Sequence, residues 1–439
     1  MHTSLSEKTA QDPSRPESAA TGSSTIPVWK LAAFILFTAM LAVVAGFRLG
    51  QNYTLPDSGW YVLIAQGRTA EVLQPFSSRQ LGPLLIALAA RLFHIDLLRG
   101  FLIESTLALF GACTLVALQL RRMKAPGWVY PLIATAGFWT VNYQSLCLPD
   151  LWFLFLLTIF LTLLYEERLM LASLMIFPLW FSRESTLIVL LALLVTGYKR
   201  LKIQHLGVAI LAALAAIVWV KHLTAVTPGN QEHLNYVLYL AGKVPWNFAR
   251  NLLGIMPWSN VYPTLCTAPS WQMPLHVSRI AAVGICGWHP EYPLAVLRTA
   301  LALFGILPTV LVHGWRHRDR AVKMSLYLRF CLVYGSLSFV AAPLLGASYL
   351  RLYTYSWPVF ILAAPCLLAG LKVTSRGLTL LLWILHVALS WSTLLLGDLS
   401  LAAGAVAFLT VLAAHASVWT ILQHSSAPVN LQAEGAALR

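Results

Sequence analysis

Apolar runs long enough to cross a hydrocarbon core of about 30 Å recur along nearly the whole chain, and they constrain its fold more than any other feature. Runs such as Leu151 to Leu164 and Leu378 to Leu396 are almost continuously apolar, whereas a barrel needs short alternating strands. In lipid, only a helix satisfies the backbone of such a run. Hydrophobic residues make up 58% of the 439 and charged residues 10%, too few to cover a soluble domain of this size. The expected fold is all-α: a polytopic membrane helix bundle of about twelve transmembrane helices, with juxtamembrane helices in its outer loops.

Residues 1–26, rich in Ser, Thr, Pro and Ala, cannot bury enough apolar surface to order themselves and are expected to form a disordered cytoplasmic tail. The transmembrane domain is expected over 27–424 and a second cytoplasmic tail over 425–439. The run from Trp29 to Phe47 lacks a small-residue cleavage site and reads as a retained anchor. The six cysteines show no C-x-x-C spacing.

Cytoplasmic helix ends carry the Lys and Arg excess. Placing Lys30, Arg121, Arg122, Lys124, Lys199, Arg200, Lys202, Arg316, Arg318, Arg320, Lys323, Lys372 and Arg376 inside sets both termini in the cytoplasm. Spans then fall near 29–47, 100–120, 128–147, 151–165, 169–182, 185–198, 203–221, 293–313, 325–345, 356–371, 378–396 and 400–421. Leu81 to Phe93 is too short to cross and is expected to lie at the outer interface. Pro178 or Ser182 should break the fifth and sixth spans. This leaves two substantial outer loops, 48–99 and 221–292, and function is sought there.

Both loops are rich in basic residues, as an anionic headgroup or phosphate would require; the alternative is that a chain of net charge +14 has arginine to spare. Cys266 and Cys286 in the second loop are expected to pair in an oxidising compartment, with Cys147 as a competing partner. Asp57 is an isolated carboxylate just past the first run. Desolvation or a neighbouring guanidinium could tune it for proton transfer, while a simple N-cap on the following Trp60-Tyr61-Val62 accounts for it without chemistry.

The segments Asp57-Ser-Gly-Trp-Tyr, Phe76-Ser-Ser-Arg79-Gln-Leu-Gly-Pro83 and Leu98-Arg99 resemble the opening of GT-C superfamily glycosyltransferases, which include protein O-mannosyltransferases and the aminoarabinose transferases of lipid A. Leu148-Pro149-Asp150, Ser182-Arg183-Glu184-Ser185 and Ser348-Tyr-Leu-Arg351-Leu-Tyr353 match more loosely. The resemblance implies a polyprenyl-phosphate-linked sugar as donor, a lipid, glycan or protein acceptor, and Asp57 as the base that activates it. It places Arg79, Arg99, Asp150, Arg183, Glu184, Arg351 and Tyr353 around the donor and its phosphate. Several members carry an Asp-Glu pair where this chain has Asp57-Ser58, so a divalent metal is not supported and no other cofactor is expected.

Arg99 and Glu104 are candidates for an ion pair with each other or with a partner on another helix, and adjacent Arg183 and Glu184 should serve different partners. With neither a P-loop nor a G-x-G-x-x-G motif after a strand, no nucleotide-binding domain is expected, and no nucleic acid partner. The leading expectation is sugar transfer on the outer face of a bacterial inner membrane. A polytopic transporter or lipid flippase is the alternative, and a non-catalytic scaffold follows if Asp57 is only a cap.

Overall fold

The computed structural model describes residues 57–135, 148–224, 236–261, 266–277, 280–318, 324–346, 349–368, 375–395 and 399–425, together with Pro27, Lys30, Ala33, Ile35 and Leu36. Residues 1–26 and 426–439, Cys147, and most of the expected first span lie outside them.

The first outer-loop segment folds as a short helix α1 (Ser58–Ala65), two single 3-10 turns, and α2 (Leu81–Phe93). Helix α2 coincides with the stretch expected to be juxtamembrane. It buries Gly82, Pro83 and Ile86 and exposes Leu84, Leu85, Leu88, Leu92 and Phe93, an apolar face suited to lipid. Tyr61, Ile64, Val72, Ile86, Phe101 and Leu148 form a small core under this segment, separate from the main one.

Helix α3 (Leu97–Arg122) starts at Asp96, whose carboxylate accepts from the amides of Leu98 (3.0 Å) and Arg99 (3.3 Å). A 3-10 stretch follows at Gly127–Ala134, and then come α4 (Asp150–Tyr165), α5 (Leu169–Leu174), α6 (Ile176–Ser182), α7 (Thr186–Gly197), α8 (Ile203–Leu223) and α9 (Tyr236–Leu253). The C-terminal part comprises α10 (Glu291–Ala302), α11 (Leu307–His317), α12 (Leu326–Leu345), α13 (Tyr349–Tyr353), α14 (Trp357–Leu367), α15 (Arg376–Leu395) and α16 (Leu401–Ser425).

Among the described residues, α3, α8, α12 and α16 are each long and apolar enough to cross a membrane alone; at about 1.5 Å per residue, 26 residues in α3 reach roughly 39 Å. The pair α10 and α11 makes a fifth if counted as one span bent by 68°. The bend falls at Gly305, whose φ of +56° an L side chain rarely adopts, and His386 Nδ1 accepts from the Ile306 amide (3.3 Å) at the start of the second half. The expected fifth span is broken into α5 and α6, and α6 stops at Ser182, where Arg183 turns extended (φ −162°, ψ 142°).

The segment expected to form the second outer loop, 221–292, departs from the all-α expectation. It contains a three-stranded antiparallel sheet, β1 (Ile255–Ser259), β2 (Trp271–Val277) and β3 (Ile280–Trp288), ordered β1-β3-β2. The central strand is free of proline, while Pro257 and Pro274 sit in the edge strands beside register shifts, where a missing N–H costs no ladder bond. Gly284 is held to glycine by close approach: a Cβ there would lie 2.3 Å from the Trp271 carbonyl oxygen. A disulfide between Cys266 and Cys286 ties the segment before β2 to β3, as expected from the sequence.

Candidate functional site

The helix ends sort the charges into two groups. At the C-terminal ends of α3 and α4, Arg122 pairs with Glu166, and past the end of α7 Arg200 Nη1 donates to the Met324 carbonyl (2.7 Å) ahead of α12. The basic segments around 121–124 and 199–202 therefore sit at one end of these helices. The opposite ends, namely the start of α4, the α6–α7 junction and the region after α12, converge on a second group of charges.

That group is built around one buried ion pair, Arg183–Asp150, and one half-buried pair, Arg79–Glu184. Arg79 follows the 3-10 turn Phe76–Ser78, and the Gln80 amide bonds the Phe181 carbonyl (3.2 Å), which fixes the loop against the end of α6. From there Arg79 grips Glu184 bidentately, through Nε to Oε2 at 2.9 Å and Nη2 to Oε1, and donates Nη1 to the Tyr61 hydroxyl at 2.8 Å. The Phe76 ring lies 5.6 Å beneath the guanidinium. Arg183 donates Nη1 to Asp150 Oδ1 at 2.5 Å and stacks over Tyr355 at 5.1 Å. Tyr355 donates its hydroxyl to the same Asp150 oxygen, and Arg351 Nε stands 3.6 Å from it. Asp150 is 1% exposed, and its other oxygen, Oδ2, has no hydrogen-bond partner among the described residues.

Asp57 immediately precedes α1, yet its carboxylate caps nothing: no side-chain hydrogen bond reaches the first-turn amides. Capping therefore does not account for it. Tyr61, one turn along the same face of α1, is bonded to Arg79, and the Asp57 carboxylate acts electrostatically on Lys243 of α9, as do Arg79, Arg183 and Glu184. Six of the eight residues singled out in the sequence, Asp57, Arg79, Asp150, Arg183, Glu184 and Arg351, thus belong to one neighbourhood. Adjacent Arg183 and Glu184 do serve different partners.

Two do not join it. Arg99 is exposed in the first turn of α3 and makes no ion pair with Glu104. Glu104 faces Gly82 and Trp152 instead: a Cβ built on Gly82 would lie 3.5 Å from Glu104 Oε1 and 3.2 Å from the Trp152 ring. Tyr353 is buried against the Phe339 ring (4.8 Å), and its place in the ionic group is taken by Tyr355. The residues missed in the sequence, Tyr61 and Tyr355, each stand four positions after a residue that was chosen, Asp57 and Arg351. Lys243 lies in the second of the two basic loops, outside every motif of the sequence.

No protein-family model, curated protein or solved structure matches this chain. The site must therefore be read from its own chemistry. Among the described residues no three His, Cys, Asp or Glu side chains gather as metal ligands, and His289 is bonded to Glu291 (2.9 Å).

Burial alone would raise the Glu184 carboxyl, but the charge and hydrogen bonds of Arg79, with Arg183 adding to them, hold it down at about 2. Burial raises the Tyr61 phenol despite the two arginines, so it stays protonated at neutral pH. A carboxylate whose folded value is depressed contributes stability that is complete above its unfolded value of about 4.3. That contribution is lost as pH falls through the folded value. Between about pH 5 and pH 2 the thermal midpoint of the wild type should therefore fall more steeply than that of Glu184→Gln, which lacks the titrating group. Parallel curves would show that the pair does not contribute.

Proposed function

We propose that this chain is a membrane glycosyltransferase that moves a sugar from a polyprenyl-phosphate carrier to an acceptor at one face of the bilayer. The observation that carries the reading is the gathering of Asp57, Arg79, Asp150, Glu184, Arg183 and Arg351 at one end of the helices, with Asp57 free of any capping role. In this reading Asp57 takes the proton from the acceptor hydroxyl as it attacks the anomeric carbon, and fixed positive charge stabilises the departing carrier phosphate. A lipid donor arrives laterally, past a surface such as the exposed leucine face of α2.

The bundle in this proposal has about twelve spans, both termini cytoplasmic, the basic helix ends inside and the ionic group outside. Cysteine labelling in intact cells tests it: a cysteine at Lys124 should resist impermeant reagent, and one at Gln272 should react. Labelling at Lys124 would overturn the orientation. The function is tested by transfer from a polyprenyl-phosphate sugar by purified wild type and Asp57→Asn protein.

One observation favours the alternative of a transporter. The α10–α11 pair is a broken helix with a buried histidine at its break, and broken helices mark many transport sites. The ionic group around Asp150 and Glu184, however, sits at helix ends rather than beside that break, which favours an enzyme working on one face.

A further inference from the structure

Helix α9 is built inside out. A helix lying between a protein core and water turns its apolar side chains inward and its polar ones outward. In α9 the asparagines Asn247 and Asn251, four apart and hence on one face, are 3% and 2% exposed. Asn247 Nδ2 donates to the Leu344 carbonyl (3.2 Å), and Asn251 Nδ2 donates to the carbonyls of Pro343 (2.7 Å) and Gly346 (3.4 Å) at the end of α12. These are carbonyls that a terminating helix leaves open. The outward face is apolar throughout. Among the described side-chain positions of α9 the exposed ones are Ala241, Gly242, Pro245, Phe248 and Leu253.

The surroundings of this face say what covers it. Asn247 meets α12 at Leu344, one turn past the exposed Val340, so the face adjoins the outward surface of a helix that is itself long and apolar enough to cross a membrane. At the other end of α9 the backbone is closed by the protein's own donors: Trp288 Nε1 donates to the Leu253 carbonyl (2.9 Å) and the His289 amide to the Gly254 carbonyl (2.6 Å). Trp288 is 70% exposed, yet its one polar atom is turned inward, so the indole presents only hydrocarbon to the outside. Water would serve such carbonyls and such an indole unaided. In lipid each of them needs an internal partner, and each has one.

We infer that the outer face of α9, with the Trp288 ring beside its end, lies against the lipid of the bilayer. The segment expected to form the second outer loop then includes a lipid-facing helix, whose polar side is the joint to α12.

The test places a nitroxide label at single introduced cysteines in full-length protein, reconstituted in vesicles of phosphatidylethanolamine with a minority of phosphatidylglycerol. Collision of the label with oxygen, which concentrates in hydrocarbon, is compared with collision with a polar nickel chelate, which stays in water. Val340→Cys on α12 is the lipid reference, Gln272→Cys in β2 the aqueous one, and unsubstituted protein gives the background from native cysteines. Phe248→Cys and Gly242→Cys should read like Val340→Cys, with an oxygen-to-nickel ratio above that at 272 by roughly tenfold or more, as exclusion of a polar solute from hydrocarbon requires. A Cβ at Gly242 meets nothing within 4 Å, so that position keeps the test open if Phe248→Cys fails to fold. Ratios matching the label at 272 would make the face aqueous and overturn the inference. Labels shielded from both reagents would overturn it as well, because the occupant would then be protein. A label at 340 that reads as aqueous would remove the lipid surface that α9 adjoins, and the inference with it.

Discussion

Replacing Asp57 with Asn should lower sugar transfer by roughly two to four orders of magnitude, the range expected when a general base is removed. The amide keeps the size of the carboxylate but lacks the basic lone pair. Asp57 holds no helix cap, so the substitution breaks no capping bond, and the thermal midpoint should move little. The measurement pairs turnover of a polyprenyl-phosphate sugar with a melting curve on the same preparation. Undiminished transfer by Asp57→Asn would remove Asp57 from the chemistry, whereas lost transfer with a collapsed midpoint would make it structural. A carboxylate acting on Lys243 and standing one turn from the Arg79-bound Tyr61 is well placed to feel substrate charge, which is why turnover rather than folding should suffer.

The largest effect on stability is expected at the Arg183–Asp150 pair, whose side chains are 4% and 1% exposed. Removing one member of a buried pair leaves the other charged and desolvated, at about 3–5 kcal/mol. Arg183→Met should fall at the lower end of that range, because Tyr355 and Arg351 still face Asp150. Replacing both, as Asp150→Leu with Arg183→Met, should recover much of the loss, since an apolar pair has no charge to strand. Comparison of the three proteins by thermal unfolding in one detergent checks this. A double variant no more stable than Arg183→Met would mean that the pair is valued for more than its mutual neutralisation.

Much of the helical framework was legible because an apolar run must form its hydrogen bonds internally in lipid. The bounds of α2 match the short apolar run from Leu81 to Phe93, and the break near Ser182 was expected where Arg183 ends α6. The sheet was not legible. Ile280–Trp288 is as apolar as a helix segment, and its strand character depends on partners at Ile255–Ser259 and Trp271–Val277. Arg99 was chosen for its place beside a motif, but a helix that starts at Asp96 leaves it exposed. Tyr61 and Tyr355 were accessible through helical spacing from Asp57 and Arg351. Lys243 was not, because no motif or helical spacing joins it to charges more than 50 residues away in sequence.

The separations within the ionic group also bear on how such a chain is made. Asp150 meets Arg183 after 33 residues of synthesis but waits 205 for Tyr355, and Arg79 waits 105 for Glu184. A nascent chain therefore neutralises Asp150 within three helices, α4 to α6, before the C-terminal half exists. The ionic group itself is complete only when the segment after α12 arrives, with Arg351 and Tyr355. A truncated or prematurely released chain would carry a neutralised but unfinished ionic group.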